Sequence, residues 1–284
     1  MSNQRLVIVG GTNGLGQAIG RQALAQGAEV TVVGRTFRDR PTPGLRFVAA
    51  DLSSMREAAR VADELPVEPA DILLFTNGIF ASRDGREQTP EGIERDLAVS
   101  YLSRLAVVQR VHARLGVARP AGAPRARVFV MGAPGTGQLG EPGDLNSERD
   151  YSAMRAHSNT IAGNEALVVG AAERFPGPAF FGLSPGVVKT GIRSNMFSGG
   201  AGYRAMEGLI GLLFPSPEGY ARRILPVITG PELEGRGGTI FDRKGRPKAA
   251  SKGFDAAYAA RVLDASDELL TRALAKGSSR PEVS

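Results

Sequence analysis

The 284-residue sequence has no cysteine. Disulfides, thiolate nucleophiles and cysteine-ligated metals are therefore excluded, and no metal site is expected. No apolar run approaches the length needed to cross a bilayer, and the N-terminus lacks a basic stretch followed by an apolar one. Those two absences predict a cytoplasmic protein with no membrane partner. The sequence has no internal repeat and no linker of shifted composition. Lysine and arginine outnumber the acids 35 to 29, giving a net charge of +6 and a pI near 10.0. The arginines are scattered, however, without dense basic runs or interleaved aromatics, so nucleic acid is not the expected partner. A solvated surface and an electropositive cofactor cleft account for the excess. The length and an ordinary 42% hydrophobic content suit one α/β domain.

The most informative stretch present is Leu6 to Gly20, LVIVGGTNGLGQAIG. Four apolar residues form a short run suited to a strand buried on both faces. Gly10, Gly11, Gly14 and Gly16 follow, and then a helical apolar pattern through Ile19 and Leu24. A strand, a glycine turn and a helix start make an anion site, because free N–H groups and the helix dipole converge there and missing Cβ atoms admit a diphosphate. Thr12, Asn13 and Leu15 complete the expected cofactor-binding turn with Gly10, Gly14 and Gly16.

A second buried strand, Glu29 to Gly34, ends at Arg35, where the ribose of a dinucleotide would lie. A cation there suits a 2′-phosphate, so NADP(H) is the expected cofactor. Further strands are predicted at Arg46–Ala50, Asp71–Phe75, Val128–Met131, Ala179–Leu183 and Gly238–Asp242. Helices are predicted at about Ser54–Leu65, Thr89–Leu115, Ser152–Arg174 and Phe254–Leu274. Alternating strands and helices predict a Rossmann-type, doubly wound parallel sheet in a single domain over residues 1–276. Residues 189–220, rich in glycine and apolar side chains from Met196 to Phe214, are expected to form a lid over a hydrophobic small-molecule substrate. Residues 277–284 are expected to be a disordered tail.

The turn Gly10-x-x-x-Gly14-x-Gly16, with Thr89-Pro90-Glu91-Gly92-Ile93-Glu94, Leu145-Asn146-Ser147-Glu148, Pro185-Gly186-Val187-Val188-x-Thr190 and Pro231-Glu232-Leu233-Glu234-Gly235, resembles the short-chain dehydrogenase/reductase family, nearest its retinol-dehydrogenase-like branch. The resemblance covers nearly the whole chain. It implies cofactor contacts at Asp51 and Leu52, at Asn77 and Gly78, and at Pro185, Gly186, Val188 and Thr190. It also implies homo-oligomers formed through the long helices Thr89–Leu115 and Ser152–Arg174.

The family's proton chemistry uses a tyrosine, a lysine four residues on whose charge lowers the tyrosine pKa, and a serine on the fifth strand. Here the serine position matches Ala133, and the position of the family's water-holding asparagine matches Ser100. Two registers compete for the rest. In one, Tyr151 and Arg155 are the pair, although an arginine cannot give up a proton. In the other, Tyr151 is an earlier structural tyrosine, the catalytic positions fall on His157 and Ile161, and Asn164 matches an asparagine one turn on. The continuous match from Leu145 to Ala156 favours the second register. His157 is the candidate acid or base there, since an imidazole titrates near neutrality.

The expected function is an NADP(H)-dependent oxidoreductase acting on an apolar carbonyl or alcohol through an atypical site. Two alternatives follow from the incomplete catalytic set. One is a non-redox isomerase, dehydratase or cyclase on the same scaffold; the other is a catalytically silent nucleotide-binding protein.

Overall fold

The structure, a computed structural model, describes residues 4–186 and 216–276. Strand β1 (Arg5–Val9) feeds the glycine turn and helix α1 (Gly14–Ala25). There follow β2 (Glu29–Gly34), β3 (Leu45–Ala49), α2 (Met55–Glu64) and β4 (Ile72–Phe75). A helical run then comprises α3 (Arg95–Leu97), a π-turn at Ala98–Leu102 and α4 (Ser103–Val111). After β5 (Arg127–Met131) come α5 (Ala153–Val169), the short α6 (Ala171–Arg174) and β6 (Ala179–Leu183). The chain closes with α7 (Pro217–Thr229), β7 (Ile240–Phe241), β8 (Pro247–Lys248) and α8 (Ala256–Lys276).

The sheet order is β3-β2-β1-β4-β5-β6-β7-β8, parallel throughout except for the antiparallel β7–β8 pair. This is a single-domain, Rossmann-type α/β fold. The order reverses direction between β1 and β4, which opens a crevice beyond their C-terminal ends. The period of two along each strand sends alternate side chains to opposite faces. Val7, Val9, Leu73, Phe75, Val128 and Val130 join one core with residues of α2, α4, α5 and α8. Leu6, Ile8, Ile72, Leu74 and Phe129 join the other, against residues of α1 and α7. Both faces being covered, β1 and β4 are apolar along nearly their whole length.

Two predicted helices differ, and one strand was not predicted. The helix expected from Thr89 begins at Arg95, because Gly92 holds φ at +85° and breaks the first turn. Glu94 caps the true start, its carboxylate accepting the Leu97 N–H at 2.8 Å. Glu91 serves another helix: it accepts from Ser54 Oγ and from the Met55 and Arg56 N–H groups at the head of α2. The helix expected over 152–174 divides between Val169 and Ala171. Strand β8 carries no apolar alternation to announce it, and pairs only by folding back on β7.

Part of the surface offered by the family resemblance for oligomers is covered by the chain itself. Helix α8 lies across α5, with Gly170 against Ala259 and Leu263, and the Tyr101 hydroxyl donates to Ser266 Oγ at 2.7 Å. Arg174 pairs with Asp264 and Asp267, and Gln109 Nε2 donates to Asp267 at 2.6 Å. Among the described residues, no helix is long and apolar enough to cross a membrane. The expected lid falls largely outside the described residues, as do Val188, Thr190 and the tail.

Candidate active site

A cleft of about 470 Å³ opens beyond the C-terminal ends of β1, β2, β4 and β5. One end is built from main chain. Gly10 has φ of +91° and Gly14 has φ of +56°, in the left-handed region that favours glycine. A Cβ on Gly10 would lie 2.3 Å from the Asn77 nitrogen, and one on Gly16 would lie 2.2 Å from Thr76 Oγ1. Gly16 thus packs beneath the turn, while Gly10, Thr12, Asn13, Gly14 and Leu15 line the cleft. Asn13 caps α1 without a side-chain hydrogen bond, and the first turn contains no acid. The N–H groups at the head of α1 therefore face the cleft free of a protein anion, the arrangement a diphosphate requires.

Arg35, immediately after β2, is exposed on the cleft wall, and Asp51 and Leu52 line the same end. Asp51 also closes a local turn, accepting from Ser53 N–H and Oγ at 3.0 and 2.8 Å. The cap of α2 is Ser54, whose Oγ accepts the Glu57 N–H at 3.3 Å. Asn77, Gly78, Pro185 and Gly186 line the floor and far wall.

The other end is built from side chains on two facing helical runs. Asp96, Ser100 and Arg104 stand in one column, spaced by four residues. His157, Thr160 and Asn164 stand opposite on α5. Asp96 is fully buried, and its Oδ2 lies 2.6 Å from His157 Nδ1. Its Oδ1 accepts from Ser100 Oγ at 2.6 Å, and Ser100 Oγ accepts the Ile79 N–H at 2.9 Å. Asn164 Nδ2 donates to the Ser100 and Thr160 carbonyls. His157 lines the cleft with a quarter of its side chain exposed, and its ring sits 4.5 Å from that of Phe80. A carboxylate on Nδ1 fixes the imidazole and leaves Nε2 as the nitrogen for proton exchange.

Arg104 is 2% exposed and reaches the cleft from below. Its guanidinium donates to the Met131 carbonyl at 2.5 Å, to Asn164 Oδ1 at 2.9 Å and to the Asn77 carbonyl. Burial draws its pKa down to about 9, partly offset by the charge of Asp96, so the group stays cationic at neutral pH.

The two registers of the sequence are thereby separated in space. Tyr151 precedes α5, and its hydroxyl donates to the Ser82 carbonyl. Burial pushes that hydroxyl up to about 12. Arg155 is engaged outside the cleft, 2.8 Å from Asp150 and 3.4 Å from Glu141. Neither lines the cleft, whereas His157, Ile161 and Asn164 all do. Tyr151 lies before α5 begins, and Arg155 stands two residues from His157, about 160° around the helix. Ser100 is brought to the site, but it is bound to Asp96. Ala133, the position that the resemblance matches to the serine, lines the cleft.

Asp96, Arg104, Phe80 and Thr160 escaped the sequence reading. A spacing of four residues within an apolar helix was the available signal for Asp96 and Arg104. A charged residue in a helix nonetheless reads as exposed until the fold buries it.

Whether a nicotinamide dinucleotide fits is tested by the cleft's own atoms. Glycine positions leave space that any Cβ would fill, and the head of α1 has no competing anion. Asn77 Oδ1 and Thr160 Oγ1, buried at the cleft, have no hydrogen-bond partner. The residues fit such a group.

No protein-family model matches the chain. An uncharacterized oxidoreductase of Saccharomyces cerevisiae is 44% identical over 279 residues, covering 96% of this chain and 90% of the yeast protein. A protein of Streptomyces lividans named as an oxidoreductase is 30% identical over 210 residues, or 69% and 68% of the two chains. Among solved structures, a short-chain dehydrogenase family protein from Francisella tularensis superposes with a TM-score of 0.59 at 16% identity, covering 91% of this chain and all of that one. A short-chain dehydrogenase/reductase from Burkholderia multivorans, solved with NADP bound, has a TM-score of 0.59 at 18% identity over 86% and 98% of the chains. The fold is that of the short-chain dehydrogenases. Like its named relatives it is an oxidoreductase. Within the short-chain dehydrogenase/reductase fold, the chain carries Ala133 and Ile161 at the positions matched above to the serine and lysine.

Proposed function

We propose that the protein is an NADP(H)-dependent oxidoreductase that interconverts an apolar ketone or aldehyde and its alcohol, with His157 as the proton-transferring residue. The observation that carries this reading is the contact between His157 and the buried Asp96 at the chemical end of the cleft. The N–H groups around Asn13 and Gly14 would hold the diphosphate, Arg35 the 2′-phosphate, and Asp51 and Leu52 the adenine. Asn77, Gly78, Pro185 and Gly186 would border the nicotinamide half, with Val188 and Thr190 continuing that segment. The NADP in the Burkholderia relative supports the choice of cofactor.

When bound, reduced nicotinamide supplies a hydride to the carbonyl carbon. His157 gives its Nε2 proton to the carbonyl oxygen and becomes neutral, while Asp96 keeps Nδ1 protonated and the ring in place. In the reverse direction Nε2 takes the hydroxyl proton. Asp96 plays the orienting part, and Ser100 holds Asp96 on its second oxygen. Phe80, Ile79, Val99 and Ile161 give this end an apolar wall, which suits a bulky hydrophobic substrate.

The test is NADPH oxidation with the purified protein across aromatic and polyene ketones, using cofactor deuterated at the transferring carbon. Substrate-dependent oxidation with label in the product alcohol is expected. Product formed without consumption of NADPH would instead place the protein among non-redox enzymes, and no heat of NADPH binding would remove the cofactor assignment.

A further inference from the structure

Arg104 is a buried cation with no carboxylate in contact among the described residues. Several surface arginines instead pair with acids, as Arg60 does with Glu57 and Glu64. The partners of Arg104 are three oxygens of polar but uncharged groups: the carbonyls of Asn77 and Met131 and the amide oxygen of Asn164. Desolvating a guanidinium is costly, and uncharged acceptors offset less of that cost than a carboxylate would. A charge kept in this state keeps its field for its surroundings. Two of its partners, Asn77 and Met131, lie at the C-terminal ends of the adjacent strands β4 and β5. The third, Asn164, stands about two turns beyond His157 on α5. On that helix Ile161 leaves the cleft without a cation.

We propose that Arg104 is the positioning residue of this site: it locks the tips of β4 and β5 to helix α5 and supplies the fixed positive charge against which the Asp96–His157 pair works. The inference rests on the reading of His157 as the proton-transferring group, and Arg104 would act on it through the Asn77, Met131 and Asn164 oxygens and through its charge. The cation holds Asp96 as a carboxylate and opposes a second positive charge on the imidazole. The charged groups facing His157 are Asp96 in contact, Arg104 along the column, and Arg95 on the cleft wall, which is engaged by Glu87 at 2.6 Å.

The test uses nuclear magnetic resonance of the ring protons, which is simple because the chain has only two histidines, His112 and His157. An H112Q variant assigns the signals. In Arg104→Met the cation is gone, so the imidazolium is favoured and the midpoint of the His157 titration moves to higher pH by roughly one unit. Asn164→Asp keeps the guanidinium but sets a carboxylate against it, and should produce a shift of the same sign in a protein whose packing is preserved. Arg104→Lys keeps the charge and should leave the midpoint within a few tenths of a unit. The pH profile of turnover should move in parallel, with kcat falling far more than NADPH affinity.

An unmoved midpoint in both Arg104→Met and Asn164→Asp overturns the proposal. If Arg104→Met fails to fold, Asn164→Asp alone decides. Failure of the underlying reading is distinguishable: it is a wild-type protein whose His157→Gln variant turns over ketones unchanged, whatever the titrations show.

Discussion

The two ends of the cleft are made from different materials. At the nucleotide end the structure presents backbone: glycines at positive φ, a helix start without an acid, and space that a Cβ would fill. At the chemical end it presents side chains held by one another across two helices, from Asp96 and His157 to Arg104 and Asn164. Main-chain recognition constrains a few residues close together in sequence, because only glycine meets the steric demand. Side-chain chemistry requires only that some acid, some base and some cation arrive at one place. Residues of other types can therefore do the same work, and the match to the family is good at the first end and altered at the second. The apolar wall around His157 completes the asymmetry: on the function proposed above, one end would take a charged ligand and the other an uncharged one.

Substitutions at the two ends should therefore fail differently. The largest effect is expected from His157→Phe, which removes the only titrating group of the pair that faces the cleft. It should lower kcat by about a thousandfold and leave the calorimetric affinity for NADPH within a factor of about three. A comparable loss of affinity would mean that the ends are not separable.

Gly10→Ala is the converse. Its Cβ would meet the Asn77 backbone and its φ is unfavourable, so NADPH affinity should fall on the order of a hundredfold, with a lowered thermal midpoint.

Asp96→Asn keeps the shape but loses the charge behind His157, and a reduction in kcat of about tenfold to a hundredfold is expected, with unchanged nucleotide binding. Arg35→Asp should sharpen the nucleotide end alone, reversing the preference for NADPH over NADH by about tenfold in Kd without altering kcat at saturation. Equal affinity for both cofactors in the wild type and the variant would remove Arg35 from the site.

The smallest effect concerns pH and stability. Glu94 caps the helical run that carries Asp96 and is almost wholly buried, and burial raises its pKa from 4.5 to about 7. The folded state then holds a proton that the unfolded state has lost between pH 4.5 and 7. Stability should therefore decline across that window as pH rises and level off above it. In Glu94→Gln, which keeps a cap oxygen, urea unfolding midpoints should lose most of that decline. An equally steep decline in the variant would assign it to other groups.

The sheet was legible because burial on both faces writes itself as unbroken apolar runs such as Leu6 to Val9 and Ile72 to Phe75. The helix starts were less so. Thr89-Pro90-Glu91 has the composition of a helix entry, yet Gly92 interrupts it and Glu91 is spent on the head of α2, 36 residues away in sequence from Met55. The choice between Tyr151 and His157 was narrowed by motif continuity, and the two were separated in space only by α5 beginning after Tyr151. The dimer faces suggested by resemblance meet α8, whose packing on Tyr101 and Gly170 no local pattern foretold.

By itself, then, the chain determined the alternation of strands and helices, the bare turn after β1 and the absence of thiol chemistry, since each follows from neighbours in sequence and the volume or conformation of single residues. Tertiary structure alone decided that Asp96 stands behind His157 and that Arg104 is a buried cation rather than a surface one. Those are meetings between positions about 60 residues apart in the chain, and the energy of a charge is fixed by what surrounds it in space, which a linear order of residues does not state.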